Sequence, residues 1–154
     1  MSPFQQPRDV VTEAPTGMKL KMLENRCTGC QLCQLTCSAI KSGSFNLILS
    51  RINILDKVDG RKKIIVCHQC KKCKCVEACN YNAFKKNNET GNVYVDQDEC
   101  QACLACIEAC PFHAVRLDNV NKTPMVCDLC GGRPSCVDAC PSGALAVTGA
   151  HNKI

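Results

Sequence analysis

The chain has 154 residues, a formal net charge of +5, no tryptophan and seventeen cysteines. Aromatic residues make up only 4% of it, so large side chains alone do not fill the core that a chain of this length ordinarily buries. The cysteine content points to a disulfide scaffold or a metal protein, and no apolar stretch is long enough to span a bilayer.

Residues 1–17 contain three prolines and no periodic apolar pattern, which predicts a flexible arm, loose or laid against a partner. This segment has neither the apolar core nor the twin arginine of an export signal, so a cytoplasmic location is expected. A reducing compartment argues against a disulfide framework, as does the odd cysteine count. MKLKML, residues 18–23, alternates as a short strand and leads into the first cysteine group, Cys27, Cys30, Cys33 and Cys37. The stretch FNLILSRINILDKVDGRKKIIVC then shows two apolar runs about Asp59 and Gly60, a hairpin signal. A second group, Cys67, Cys70, Cys75 and Cys79, ends in the helix-like CVEACNYNAF, followed by the polar turn KKNNETGN and the strand VYVD. The third group is Cys100, Cys103, Cys106 and Cys110, and it runs through PFHAVRLD, a turn and a strand. The fourth, Cys127, Cys130, Cys136 and Cys140, closes with PSGALAV in the same way. Cys73 is left over.

These stretches form an internal repeat: a cysteine loop, a single helical turn carrying the third and fourth cysteines, a small-residue turn and a short strand. CIEACPFHAV and CVDACPSGAL match best. In the third group, CQACLACIEACP, the cysteines are separated by two, two and three residues and followed by proline, the spacing with which ferredoxins bind 4Fe-4S clusters. A two-residue gap lets three successive sulfurs face one pocket. The fourth cysteine lies about one helical turn further on, faces away and serves the other cluster of a pair. A zinc site closes with two cysteine pairs, which leaves the extra cysteines of this pattern without a role. Four groups therefore imply four 4Fe-4S clusters in two pairs. Each cluster with its thiolates carries about two negative charges, which brings the loaded protein to about −3. Arg61, Lys62, Lys63, Lys71, Lys72, Lys74, Lys85 and Lys86 gather around the second group, either as a solvated face offsetting that charge or as a docking patch for an acidic redox partner.

With these motifs in place, the chain resembles the four-cluster, ferredoxin-like electron-transfer subunits of molybdenum and tungsten oxidoreductases. That group includes the iron–sulfur subunits of dimethyl sulfoxide reductase and formate dehydrogenase, hydrogenase and carbon monoxide dehydrogenase ferredoxins, and the small subunits of tungsten aldehyde oxidoreductases. CTGCQLCQLTCS, CHQCKKCKCVEAC and CDLCGGRPSCVDACPSGAL are similar to its first, second and fourth motifs, and the likeness runs from about Met18 to Val147. The resemblance implies an α+β fold of tandem two-cluster ferredoxin-like units, with short helices and small antiparallel hairpins. It implies a four-cluster domain over residues 18–150, of two pseudo-repeated halves with intertwined ligation, and a tail at 151–154. By the same resemblance the outer groups pair with each other and the inner groups likewise. Cys27, Cys30, Cys33 and Cys140 then hold one cluster, and Cys127, Cys130, Cys136 and Cys37 its neighbour. Cys67, Cys70, Cys75 and Cys110 hold a third, and Cys100, Cys103, Cys106 and Cys79 the fourth. Two positions depart from the pattern. Asn80 stands where proline usually follows the fourth cysteine, and Cys73 offers a rival to Cys75, although the family spacing selects Cys75.

No substrate site is expected. His68, His113 and His151 have no carboxylate or nucleophile at suggestive spacing and read as packing or hydrogen-bonding residues. The expected role is a non-catalytic subunit relaying single electrons between a large oxidoreductase, by resemblance a tungsten or molybdenum pterin enzyme, and a second donor or acceptor. The alternatives are a free polyferredoxin shuttling among several enzymes, service to a hydrogenase, formate dehydrogenase or carbon monoxide dehydrogenase, and end-to-end self-assembly. Nucleic-acid binding is excluded because no aromatic stacking residues interleave with the basic ones.

Overall fold

A computed structural model describes residues 17–148. The expected N-terminal arm up to Thr16, the tail and His151 lie outside the described residues. Eight short strands form four separate two-stranded antiparallel sheets. Strand β1 (Lys19–Met22) pairs not with a neighbour in sequence but with β8 (Leu145–Thr148), with Lys19 opposite Thr148 and Met22 opposite Leu145. The alternation of MKLKML turns Met18 and Leu20 inward, where both are buried.

The other sheets are local hairpins. β2 (Asn53–Asp56) and β3 (Lys62–Ile65) flank the predicted turn, where Gly60 takes φ +81° and the Lys57 amide donates to the Arg61 carbonyl at 2.8 Å. The apolar run before β2 is not strand throughout. Leu47–Leu49 form a 3₁₀ turn, because the Asn46 side chain accepts from the Ile48 amide at 3.0 Å and fixes a cap instead. β4 (Phe84–Lys86) pairs with β5 (Val93–Val95), and β6 (Arg116–Leu117) with β7 (Pro124–Met125). Lys85 and Lys86, expected in a turn, belong to β4. The turn starts only at Asn87, whose side chain accepts from the Glu89 and Thr90 amides. Asp118 does the same for Val120 and Asn121 between β6 and β7.

Helices α2 (Lys74–Glu77), α3 (Ala105–Ala109) and α4 (Ser135–Ala139) are the single turns that the repeat predicts. Helix α1 (Leu32–Ser42) is longer, at 11 residues. The helix runs on past Cys37 to Gly43, which ends it in the left-handed region with its amide on the Ala39 carbonyl at 2.9 Å. Helix α1 packs on α4, and α2 packs on α3. One helix pair is thus nested inside the other along the chain.

The fully buried large apolar side chains are few: Phe84, Ile52, Leu129, Val66 and Val93. The rest of the core is about half cysteine, with Met18, Leu20, Ile64, Val115, Val126 and Leu145 among the others. Two polar contacts tie the parts together. Glu24, beside the first group, accepts from the Ile64 amide at 3.1 Å and from Lys57 Nζ at 2.9 Å, which fixes the β2–β3 hairpin over that group. Gln69, buried in the second group, donates from Nε2 to the Cys127 carbonyl at 2.7 Å and accepts at Oε1 from the Val93 amide at 2.9 Å. Gln69→Leu strands both backbone partners in a dry interior. The expected loss is about 1–3 kcal/mol for each orphaned group, read as an earlier urea midpoint of the loaded protein.

Candidate iron–sulfur centres

Every cysteine loop makes the same backbone step. The residue before the second cysteine lies in the left-handed region in all four groups: Gly29 at φ +75°, Gln69 at +49°, Ala102 at +52° and Leu129 at +58°. Three of the four are not glycine, and such positions persist only where their surroundings impose them. Gln31, Leu104 and Gly131 repeat the step after the second cysteine. Backbone turns of this kind gather successive amides into concave nests that suit anions and iron–sulfur centres. Gly29 also makes room for Lys62, whose side chain crosses where a Cβ would stand.

The turns after the fourth cysteines are likewise alike. Asn82, His113 and Gly143 have φ of +55°, +53° and +66°, and each donates its amide to the carbonyl of the cysteine three residues before it. Each is followed by a buried alanine, Ala83, Ala114 or Ala144, of which the first and last line cysteine cavities. Asn80 does not alter this step, so the turn lacking proline has the same form as the two that have it.

The side chains converge across these loops. One cavity is lined by Cys27, Cys30, Cys33 and Cys140, with Ile54, Ile64 and Leu145. A second is lined by Cys37, Cys127, Cys130 and Cys136, under Ile52 and Val66. A third is lined by Cys79, Cys100, Cys103 and Cys106, beside Phe84 and Val95. All three are small gaps in the packing that are continuous with solvent. Cys67 lies near Cys70 and Cys110, and Cys75 near Cys67 and Cys110, close enough for their charges to interact. In each set three cysteines come from one group and the fourth from the group expected to pair with it.

This arrangement fits a polyatomic centre. Among the described residues no three cysteine, histidine or carboxylate side chains close on a point as a single ion requires, and the thiols stand around open spaces instead. Burial pushes the Cys67, Cys75 and Cys136 thiols up to about 12 and those of Cys33 and Cys106 up to about 11. These sulfurs keep their protons at neutral pH until a metal's positive charge displaces them. Cys79 is the opposite case: burial opposes ionisation, but the amides of Phe84, Tyr81, Ala83 and Asn82 outweigh it and hold the thiol below its usual range. Ala83 and Phe84 donate to its sulfur at 3.3 and 3.4 Å. The Arg51 amide donates to Cys37 Sγ at 3.3 Å and the Gln69 amide to Cys67 Sγ at 3.4 Å. Such donors stabilise negative charge on sulfur and raise a cluster's reduction potential.

Cys73 is buried, and its thiol donates to the Cys70 carbonyl at 2.8 Å. His68 stacks on Phe112, with ring centroids 4.0 Å apart and planes 8° from parallel, and His113 is exposed at its turn. Gln69 and the left-handed residues before the second cysteines carry no separate sequence signal, because their roles rest on partners far along the chain or on backbone angles.

These loops and hairpins define a ferredoxin-like iron–sulfur protein of the electron-transfer kind. The chain belongs to the 4Fe-4S dicluster domain family, whose pattern it matches over residues 63–150. Relatives agree. The chain is 38% identical over 116 residues to the polyferredoxin-like subunit of an aliphatic sulfonate oxidoreductase from Pyrococcus furiosus, covering 75% of this chain and 67% of that protein. It is 37% identical over 141 residues to one of the polypeptides of polysulfide reductase from Wolinella succinogenes, covering 79% of this chain and 71% of that polypeptide. With the beta subunit of NADH-dependent phenylglyoxylate dehydrogenase from Aromatoleum evansii the identity is 35% over 123 residues, or 78% of this chain but only 28% of that protein. Among solved structures, the active site complex BamBC of benzoyl-coenzyme A reductase has a polypeptide of the same fold, with a TM-score of 0.52, 24% identity, and coverage of 85% of this chain and 78% of that one.

Proposed function

We propose that this chain holds four 4Fe-4S clusters and conducts single electrons between a large oxidoreductase and a second redox partner. Bound in these sites, the clusters supply one-electron reduction and oxidation with little rearrangement. The proposed ligands are the four cross-group sets: Cys27, Cys30, Cys33 and Cys140; Cys37, Cys127, Cys130 and Cys136; Cys67, Cys70, Cys75 and Cys110; and Cys79, Cys100, Cys103 and Cys106. The two ferredoxin-like halves are then the nested helix pairs, together forming a domain over residues 18–150.

One observation carries the relay reading. Cys30 and Cys103 are exposed, one in the first set and one in the last, whereas no cysteine of the other two sets is. The contacts support a linear order. Cys136 lies near Cys33, which joins the first set to that of Cys127. Gln69 joins the Cys127 loop to that of Cys67 and Cys70. The α2–α3 contact joins the latter to the set of Cys100. Residues of the chain therefore leave a fully exposed sulfur at each end of the path and only partly exposed ones, Cys70 and Cys130, in its middle, while the amide nests and the sulfur-directed N–H groups set how readily each site accepts an electron.

A tungsten or molybdenum pterin enzyme is the proposed large partner and the cytoplasm the proposed location. The likeness of the four cysteine motifs to those of such enzymes' subunits supports the former, and relatives that are themselves parts of oxidoreductases agree with a large oxidoreductase partner. Among the described residues no helix is long and apolar enough to cross a membrane. Anaerobically purified protein is expected to contain about sixteen iron atoms per chain, with matching sulfide. Eight or fewer, or stoichiometric zinc, overturns the reading. Co-purification with a large oxidoreductase tests the partner, and recovery as a lone chain in gel filtration contradicts it.

A further inference from the structure

The cations of this chain are unevenly committed. Lys41 pairs with Asp128, Lys57 with Glu24, Arg61 with Asp59, Lys62 with Asp56 and Lys85 with Asp96. The basic run seen in the sequence is therefore divided: its Arg61, Lys62 and Lys85 members already have carboxylate partners. Residues 67–86 contain five lysines and a single carboxylate, Glu77. Once Lys85 is paired, Lys71, Lys72, Lys74 and Lys86 remain, and no carboxylate among the described residues forms an ion pair with any of them.

Their placement is specific. Lys71, Lys72 and Lys74 are exposed and follow directly on Cys70, which is itself partly exposed. Lys86 reaches across from β4 to donate its ammonium to the Cys70 carbonyl at 2.8 Å and the Lys71 carbonyl at 3.3 Å. Four positive charges thus lie beside or close along the chain to Cys70, the one cysteine of the Cys67, Cys70, Cys75 and Cys110 set that is not buried. Offsetting a buried cluster's charge does not account for this pattern by itself. The Cys37, Cys127, Cys130 and Cys136 set is equally interior, yet only two cations line its cavity, Arg51 and a Lys41 that Asp128 holds.

We infer that the Lys71, Lys72, Lys74 and Lys86 face over Cys70 is a docking site for a small acidic electron-carrier protein, which exchanges electrons with the relay at an inner site. The inference rests on the relay reading. Cys67, Cys70, Cys75 and Cys110 would hold the cluster that accepts the electron; the carrier would be oxidised by one electron and that cluster reduced by one, with no atom transferred. Charge complementarity of this kind acts mainly on the encounter rate and is weakened by salt.

The test uses the loaded full-length chain and its Lys71→Gln/Lys72→Gln/Lys74→Gln variant. All three positions are exposed, and Lys86, which supports the loop, is left in place. Reduction is followed by stopped flow with a purified acidic bacterial ferredoxin, prereduced, at low and high salt, and separately with reduced methyl viologen, a small cation. The expected result is a fall of about tenfold or more in the second-order rate with ferredoxin and a flattened salt dependence, with iron content and viologen rate unchanged. A charge-reversal variant, Lys71→Glu/Lys72→Glu/Lys74→Glu, is expected to fall further. A ferredoxin rate within twofold of the parent, with the same salt slope, overturns the docking site. Failure of the relay itself reads differently: the parent chain then lacks iron or is not reduced by viologen.

Discussion

Replacing Cys110 with serine is expected to remove the cluster of the second cysteine group, not that of the third group in which Cys110 lies. Cys110 is buried, and its neighbours are Cys67 and Cys75, whose thiols its charge disturbs. Cys79, from the second group, lines the cavity of Cys100, Cys103 and Cys106. A hydroxyl gives up its proton far less readily than a thiol, so the substitution leaves one iron of that site without its thiolate ligand. Iron content should fall by about a quarter, with the loss confined in electron paramagnetic resonance to one of the four signals. Cys79→Ser should lose a different signal, that of the site lined by Cys100, Cys103 and Cys106. Because the affected site lies inside the proposed path, Cys110→Ser should also halt electron passage between the ends while each end still reacts with small dyes. If each variant instead loses the cluster of its own group, the crossed ligation is wrong.

Stripping the iron is expected to unfold the chain. Two-stranded hairpins are marginal in water, and this protein has four two-stranded sheets and no larger one among the described residues. Three of its four helices are single turns, too short to stand alone. Side chains offer limited compensation, since the core of the described residues has one aromatic side chain, Phe84, and is more than a third cysteine. Without iron, the left-handed residues of the cysteine loops also keep their conformational cost, about 1–3 kcal/mol for each that is not glycine, with nothing bound in the nest to offset it. Metal binding and folding should therefore be one event. Chelation under anaerobic conditions should abolish the native circular dichroism and the amide dispersion in nuclear magnetic resonance, and refolding should require iron and sulfide together. Retention of native dispersion in iron-free protein refutes this coupling.

Much of this was legible in the sequence because it is local. The two-residue gaps between cysteines predict the loops. Asp59 with Gly60 predicts a hairpin, and Pro111 and Pro141 predict where α3 and α4 stop. The misread stretches are also local, but there a competing signal won. Asn46 caps a 3₁₀ turn where the apolar FNLIL suggested strand, and α1 runs past Cys37 until Gly43 ends it. Lys85 and Lys86 looked like turn residues by composition, yet β4 accepts them because one ammonium meets Asp96 and the other the Cys70 carbonyl.

The sequence by itself determined that sixteen cysteines stand in four loops suited to iron and sulfide, since the spacing of sulfurs over a few residues depends only on local backbone geometry. Which loop faces which was decided by tertiary structure alone. The pairing of β1 with β8, the packing of α1 on α4, the reach of Gln69 to Cys127 and the gathering of lysines over Cys70 join residues far apart in the chain. Contacts of that kind arise from the combined burial and hydrogen bonding of many segments, and no short window of sequence contains them.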